Sequence, residues 1–146
     1  MRKAIALAAL LLVSCKVENV PPSITVDAAW ARATAPGQAT AAAYATIINS
    51  GGADRLVAVY TPVGSASIHS TSTENGVMRM RPVGQLDIPA NSTVELAPGE
   101  KHVMLSEVKQ PLAVGTSFPL TFRFERSGQL QVTVAVRDPS ATGSTM

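Results

Sequence analysis

The sequence predicts an all-β fold, an antiparallel sandwich or barrel of about nine short strands. Ten prolines and ten glycines are scattered along the 146 residues. Turn signals recur about every eight to twelve residues, a spacing typical of sandwiches and barrels. Val, Ile and Thr are frequent between the turns, and no segment has a convincing helical pattern. With 46% hydrophobic and 15% charged residues, the chain suits one domain with a real core.

The N-terminal residues have the pattern of an export signal. Two basic residues precede an apolar run, residues 4–13, that is too short to span a bilayer. The following Ser-Cys ending resembles a lipobox, so residues 1–14 are predicted to be a lipoprotein signal and Cys15 to be lipidated. An ordinary cleaved signal with an incidental cysteine is the alternative. Residues 15–22 are predicted to be a lipidated tether, which places the domain in the periplasm or cell envelope.

Charge and cysteine content exclude several classes of function. The predicted signal contains two of the twelve basic residues, so the mature chain carries ten basic and ten acidic residues. No basic run remains, and a nucleic-acid partner is not expected. The chain has a single cysteine, so the exported domain has no disulfide and depends on its core alone.

The predicted domain spans residues 23–137. Residues 23–33 alternate as a half-buried strand, with Trp30 as a core anchor. Residues 40–49 fit either a buried strand or a short helix, and the turn residues after them favour a strand. The remaining strands, with a final hairpin, are predicted at 54–61, 65–70, 77–81, 86–89, 93–96, 101–105, 118–125 and 129–137. Residues 138–146 are small and polar, and are predicted to be a flexible tail.

One window, residues 69–104, holds both histidines and every methionine except the two terminal ones. Strand side chains alternate, so His102 and Met104 point the same way. Met78 and Met80 repeat this spacing on an earlier strand, and His69 lies just before them. Each residue alone has an ordinary explanation, since strand methionines commonly fill cores and histidines commonly lie at surfaces. Their concentration in one window instead suggests a metal site.

The residue types in the window favour copper(I). Thioethers select Cu(I) and imidazoles suit copper, whereas the absence of carboxylates argues against Mg, Ca and Mn, and makes Zn less favourable. A blue-copper site needs a cysteine thiolate, which the mature domain lacks away from its predicted lipid site. No nucleophile and base stand at a recognisable spacing, so an enzymatic activity is not expected.

The same residues resemble the PCuAC family of exported copper(I) chaperones. The family pattern is a histidine, ten residues, a methionine, twenty-one residues and His-x-Met, and His69, Met80, His102 and Met104 fit it without a gap. The segments NGVMRMRPV and PGEKHVMLSEVKQPL are similar to the family as well, and the resemblance covers about residues 24–137. It implies a cupredoxin-like Greek-key β-sandwich and delivery of copper toward cytochrome oxidase assembly. Sco-type proteins or the oxidase copper site are the implied transient partners.

The chain departs from the family pattern at three points. Ser70 stands where a methionine often follows the first histidine, and Glu100 stands where a second glycine is usual. The C-terminal tail lacks the His- and Met-rich extension of some relatives, so one copper per monomeric chain is predicted. Met78 lies outside the four-ligand pattern and is an auxiliary candidate. The alternative function is an envelope lipoprotein with a structural or protein-binding role, no metal, and its methionines buried as core.

Overall fold

The chain folds as an all-β domain, which confirms the predicted fold class. A computed structural model describes residues 19–142 and contains ten strands there. In this part of the chain, no helix is long and apolar enough to cross a bilayer. The predicted signal, residues 1–14, and Cys15 lie outside the described residues. The strands are β1 (Ile24–Arg32), β2 (Ala41–Asn49), β3 (Asp54–Tyr60), β4 (Ser65–Glu74), β5 (Val77–Pro82), β6 (Leu86–Ile88), β7 (Ser92–Leu96), β8 (Lys101–Ser106), β9 (Ser117–Phe124) and β10 (Gly128–Arg137).

The strands form one hydrogen-bonded path in the order β5-β4-β8-β2-β1-β10-β9-β3-β6, and β7 pairs with β2 beside it. Within the described strands, every pairing is antiparallel except that of β1 with β10. That parallel pair brings the first and last strands of the domain side by side. The ambiguous segment at residues 40–49 is a strand, as predicted, and it lies between β8 and β1.

The sheet curls around a single cluster of buried apolar side chains. Strands β2, β8 and β9 supply much of it, because alternate residues on each point inward. Burying a side chain of this size stabilises the fold by about 1.5–3 kcal/mol. The largest fully buried apolar members are Phe122, Ile47, Leu56, Ile88, Leu105 and Leu120.

A β-bulge in β1 decides which face of the sheet carries Trp30. The register with β2 passes from Asp27 opposite Thr46 to Trp30 opposite Tyr44, which leaves one extra residue in β1. Ala28, inside the bulge, has a φ of 51°. Trp30 is therefore buried on the outer face of the sheet, while its neighbour Ala31 points into the main core.

The segment before β1 is docked on the domain. The Gly52 amide donates to the Pro21 carbonyl over 2.9 Å, and the Arg126 guanidinium donates to the Val20 carbonyl over 3.1 Å. A Cβ atom at Gly52 would lie 1.9 Å from the Val20 carbonyl oxygen, so only glycine permits this approach. Residues 19–22, predicted as part of the tether, thus contact the sheet.

Asp54 joins β3 to the turn between β9 and β10. Its carboxylate accepts hydrogen bonds from the backbone amides of Arg55, Arg126 and Ser127 at 2.7, 2.9 and 2.9 Å. The Ser127 hydroxyl donates to it as well. Burial alone raises the pKa of Asp54, but these hydrogen bonds outweigh burial and hold the pKa below its ordinary value.

Replacing Asp54 by asparagine is expected to lower the free energy of unfolding by about 2 kcal/mol at pH 7. The NH2 group of the asparagine side chain would face backbone amides that donate to the Asp54 carboxylate, and two donors cannot form a hydrogen bond. The lowered pKa means that the contribution of Asp54 is complete above about pH 4 and is lost as pH falls through the folded-state pKa. Urea unfolding at pH 7 and pH 3 measures the difference. Asp87→Asn is the control, because the Asp87 side chain is 81% exposed beside Arg55 and its loss should cost under about 1 kcal/mol. An Asp54 effect that is equal at both pH values would contradict this account.

Candidate metal centre

Three neighbouring strands at one edge of the sheet, β5, β4 and β8, carry the candidate ligands. His69 on β4 lies directly opposite His102 on β8. Thr71 and Ser67 lie on β4, two residues after and two residues before His69. Thr71 lies opposite Met80 on β5, and Ser67 lies opposite Met104 on β8. Opposed residues share a face and so do residues two apart, which places all four candidates on the outer face. Together, His69, Met80, His102 and Met104 are called the metal face below.

His102 is buried, with 4% of its surface exposed. Its Nδ1 lies 3.2 Å from the Glu100 carbonyl oxygen, and its Nε2 has no hydrogen-bond partner. A carbonyl only accepts, so Nδ1 carries the proton and Nε2 presents a lone pair. Ligating histidines commonly have this arrangement, in which the second ring nitrogen is held by a backbone carbonyl.

The turn before β8 accommodates a glutamate at position 100. Gly99 takes the left-handed conformation, with a φ of 80°, and Glu100 is not among the residues of positive φ. The Glu100 contact to His102 uses the backbone carbonyl, which also accepts from the Thr71 amide at 3.2 Å. The Glu100 side chain therefore takes no part in holding the His102 ring.

His69 has a similar arrangement with the nitrogens exchanged. Its Nε2 lies 3.1 Å from the Ser67 hydroxyl, and its Nδ1 is buried without a hydrogen-bond partner. Burial, and to a smaller extent the nearby His102, lower the pKa of His69 below its ordinary value. The His69 ring is therefore neutral at neutral pH and able to bind a cation.

The two rings face each other across the strands, with centroids 6.1 Å apart and planes inclined by 31°. Each ring has one unpartnered nitrogen, and an unsatisfied buried polar atom is uncommon in a folded protein. A bound cation would satisfy both nitrogens. In the described part of the chain, histidine, cysteine, aspartate and glutamate alone do not form such a site. Within residues 19–142, no three side chains of these four types are grouped so that they could hold a metal ion.

The methionines flank the imidazoles on both sides. Met104 is half-buried, whereas Met80 is 50% exposed and Met78 is 69% exposed. Met78 lies opposite Thr73, one step further out on the same face as Met80. The alternative function requires methionines that fill the core, and Met78 and Met80 do not.

The outer face continues beyond the metal face through two aromatic rings. The Tyr44 ring lies 6.4 Å from the His102 ring, and the Trp30 ring lies 4.6 Å from the Tyr44 ring. Neither Tyr44 nor Ser67 was identified from the sequence. The i, i+2 spacing could have identified Ser67, because residues two apart on a strand share a face and Ser67 therefore lies beside His69. Tyr44 could not be found in this way, because its position near His102 depends on the pairing of β2 with β8.

The fold is that of a β-sheet domain of the PCuAC type. A solved structure described as "Copper-bound PCuAC domain from PmoF2" superposes with a TM-score of 0.68 and 28% identity, covering 80% of this chain and 93% of that one. The "Solution structure of CuI-DR1885 from Deinococcus Radiodurans" has a TM-score of 0.64 and 28% identity, covering 90% and 87%. The predicted relationship to PCuAC domains and the predicted cupredoxin-like architecture are thereby confirmed.

The chain belongs to the family described as "Putative lipoprotein LpqE-like", which matches residues 24–136. A relative, "Putative lipoprotein Lxx21020" from Leifsonia xyli subsp. xyli, is 35% identical over 118 residues, covering 79% of this chain and 70% of its own length. These descriptions agree with the predicted lipoprotein character. Lipidation of Cys15 stays a prediction, because that residue is outside the described range.

Proposed function

We propose that this domain is an exported Cu(I) carrier, not an enzyme, with His69, Met80, His102 and Met104 as its ligands. The observation that carries the proposal is the pair of buried, unpartnered ring nitrogens on His69 and His102. The exposed thioether of Met80 and the half-buried thioether of Met104 share their face. Thioether and imidazole ligands together suit the soft Cu(I) ion better than the harder metals.

The charge of the site favours the reduced ion. All four proposed ligands are neutral, so a bound Cu(I) leaves the site at +1 and Cu(II) leaves it at +2. Cu(II) also prefers nitrogen and oxygen ligands. The copper-bound PmoF2 domain and CuI-DR1885, both structurally similar to this chain, lend further support.

The exposure of the β5 edge suits a carrier that exchanges its cargo. Met80 is half exposed, and Met78 lies beside it on the same outer edge strand. We assign Met78 the role of an auxiliary ligand that receives or releases copper. The receiving sites proposed here are those of cytochrome oxidase assembly, reached directly or through Sco-type proteins. The proposed location is the periplasm or cell envelope, with a lipid anchor at Cys15.

Anaerobic titration of the metal-free protein with Cu(I), in competition with a chelator, tests the proposal. We expect one tightly bound copper per chain. An envelope protein with a purely structural role would leave all the copper with the chelator, and that result would refute the carrier function.

Copper(I) affinity is expected to fall by at least about tenfold between pH 7 and pH 5, because protons compete for the imidazole nitrogens. Free histidine has a pKa of about 6.5. Because the pKa of His69 is lowered, protons compete with copper for the His69 ring only at a more acidic pH. Affinity should therefore change little from pH 8 to pH 7 and fall below about pH 6.5. Chelator competition at each pH measures it, and a constant affinity from pH 8 to pH 5 would contradict the histidine ligands.

Replacing Ser67 by alanine is expected to weaken copper binding by about tenfold, because outer partners of ligating histidines orient the ring. The Ser67 hydroxyl holds Nε2 of His69 and leaves Nδ1 toward the metal face. Ser70→Ala is the matched control, since Ser70 lies on the same strand and points to the opposite face. The two variants are compared in the same chelator competition, and equal affinities would remove the assigned role of Ser67.

A further inference from the structure

Two arginines lie beside the metal face and have no acidic partner in the described part of the chain. Arg32 ends β1 and Arg137 ends β10, and the parallel pairing of these strands places them in register. The ion pairs among residues 19–142 involve Arg55, Arg79 and Arg81 instead. Like charges directly opposite each other on a sheet are destabilising. An anion between them would offset that cost.

Aromatic rings hold both guanidinium groups in place. The central carbon of the Arg32 guanidinium lies 5.9 Å from the Tyr44 ring centroid, and that of Arg137 lies 5.4 Å from the Trp30 ring centroid. Trp30 and Tyr44 are themselves buried, and their ring centroids lie 4.6 Å apart with the ring planes tilted by 38°. Guanidinium groups fixed by stacking are well suited to binding carboxylates, since little freedom is lost when the ligand binds.

A cavity of about 330 Å³ opens beside Arg32, and its walls include Arg32, Tyr44 and Met104. Arg137 does not line this cavity and lies in register with Arg32 on the neighbouring strand. The Arg32 side chain makes one hydrogen bond in the described chain, from Nε to the Ala141 carbonyl at 3.3 Å. Its terminal nitrogens therefore have no protein acceptor there. Burial raises the pKa of Tyr44, although Arg32 partly opposes this, so the Tyr44 hydroxyl keeps its proton at neutral pH. The cavity wall thus includes a guanidinium cation and a protonated tyrosine.

The acidic group nearest in sequence does not fill this role. Asp138 follows Arg137 directly, but its carboxylate accepts from the Ser140 amide at 2.9 Å and from the Ser140 hydroxyl. No oxygen of Asp138 lies within ion-pair distance of Arg32 or Arg137 among the described contacts. The carboxylate of Asp138 is turned into its own loop.

We propose that Arg32 and Tyr44, with the positive charge of Arg137 in register beside Arg32, form a binding site for a small polycarboxylate beside the metal face. The cavity volume is at the lower end of the range of about 300–1,000 Å³ for small-molecule sites, which suits an organic acid. Its walls combine the apolar Ala33, Ala42 and Pro139 with the polar Thr34, Gln38 and Thr40, and this mixture suits a carbon skeleton that carries several carboxylates. The ligand would lie next to Met104, yet its binding requires no copper.

Citrate is the probe for this site, added to the metal-free protein and followed by calorimetry and by the emission of Trp30, the only tryptophan. We expect saturable binding of one citrate per chain. Arg32→Gln should weaken it at least tenfold and Arg137→Gln at least threefold. Arg123→Gln is the matched control, because Arg123 stacks on Tyr60 at the same 5.9 Å, outside this cavity, and should change the affinity less than twofold.

Three results would overturn the polycarboxylate site. They are the absence of saturable citrate binding, equal losses in Arg32→Gln and Arg123→Gln, and inorganic phosphate binding as tightly as citrate. Circular dichroism of each variant verifies that the fold is retained, and Arg137→Gln provides an independent test if Arg32→Gln unfolds. The measurement uses no metal, so its outcome is separate from that of the copper titration made without citrate.

Discussion

Replacing His102 by alanine is expected to lower the Cu(I) affinity by at least about a hundredfold, more than the 10–100-fold typical of losing an outer partner. His102 is the most buried of the proposed ligands, and its Nε2 is fixed toward the metal face by the contact of Nδ1 with the Glu100 carbonyl. No other described side chain offers an imidazole in its place except His69, which is already a ligand. Chelator competition under anaerobic conditions measures the loss.

Because His102 is buried, its replacement also leaves a small cavity, and the folded state must be verified by urea unfolding. A variant that stays folded and still binds one Cu(I) with wild-type affinity would exclude His102 as a ligand. Asp54→Asn serves as a control for destabilisation, since it weakens the fold through contacts with the turn between β9 and β10 and not with a proposed ligand, and should leave the affinity unchanged.

Replacing Met80 by leucine is expected to lower the Cu(I) affinity at least about tenfold while changing the stability by under about 1 kcal/mol. Leucine conserves the volume of methionine closely, and the Met80 side chain is half exposed, so packing changes little. The thioether is the only chemical group removed. Affinity from chelator competition and stability from urea unfolding are measured on the same preparation.

Met78→Leu is the matched control for Met80→Leu. The two methionines lie on one face of the same strand, and Met78 is the more exposed. As an auxiliary ligand, Met78 should change the equilibrium affinity less than threefold and mainly affect the rate of copper transfer to the chelator. Equal effects of the two substitutions would contradict the separation of a primary ligand from an auxiliary one.

Local patterns were sufficient to predict most of the fold. Alternation along residues 101–105 and the turn signals at Pro98 and Gly99 placed β8 correctly, because both features act over a few residues. The parallel pairing of β1 with β10 and the bulge before Trp30 were not predictable in this way. The first depends on contacts between the chain ends, and the second on one inserted residue that an alternation pattern does not reveal.

The candidate site was predictable as a set of residues but not as a geometry. The concentration of His and Met in one window supplied all the candidates, strand periodicity placed His102 and Met104 on one side, and the family resemblance selected Met80 over Met78. That His69 lies directly opposite His102 follows from the register of β4 with β8, which no local pattern contains. The contacts of Ser67 and Glu100 that fix the two rings depend on the same register.

X-ray absorption spectroscopy of the protein loaded with one equivalent of Cu(I) tests the four-ligand metal face most directly. We expect equal numbers of nitrogen and sulfur ligands, from two imidazoles and two thioethers, and the loss of one sulfur in Met80→Leu. A copper ion bound only by nitrogen and oxygen, or a sulfur count unchanged in Met80→Leu, would contradict the proposed ligand set.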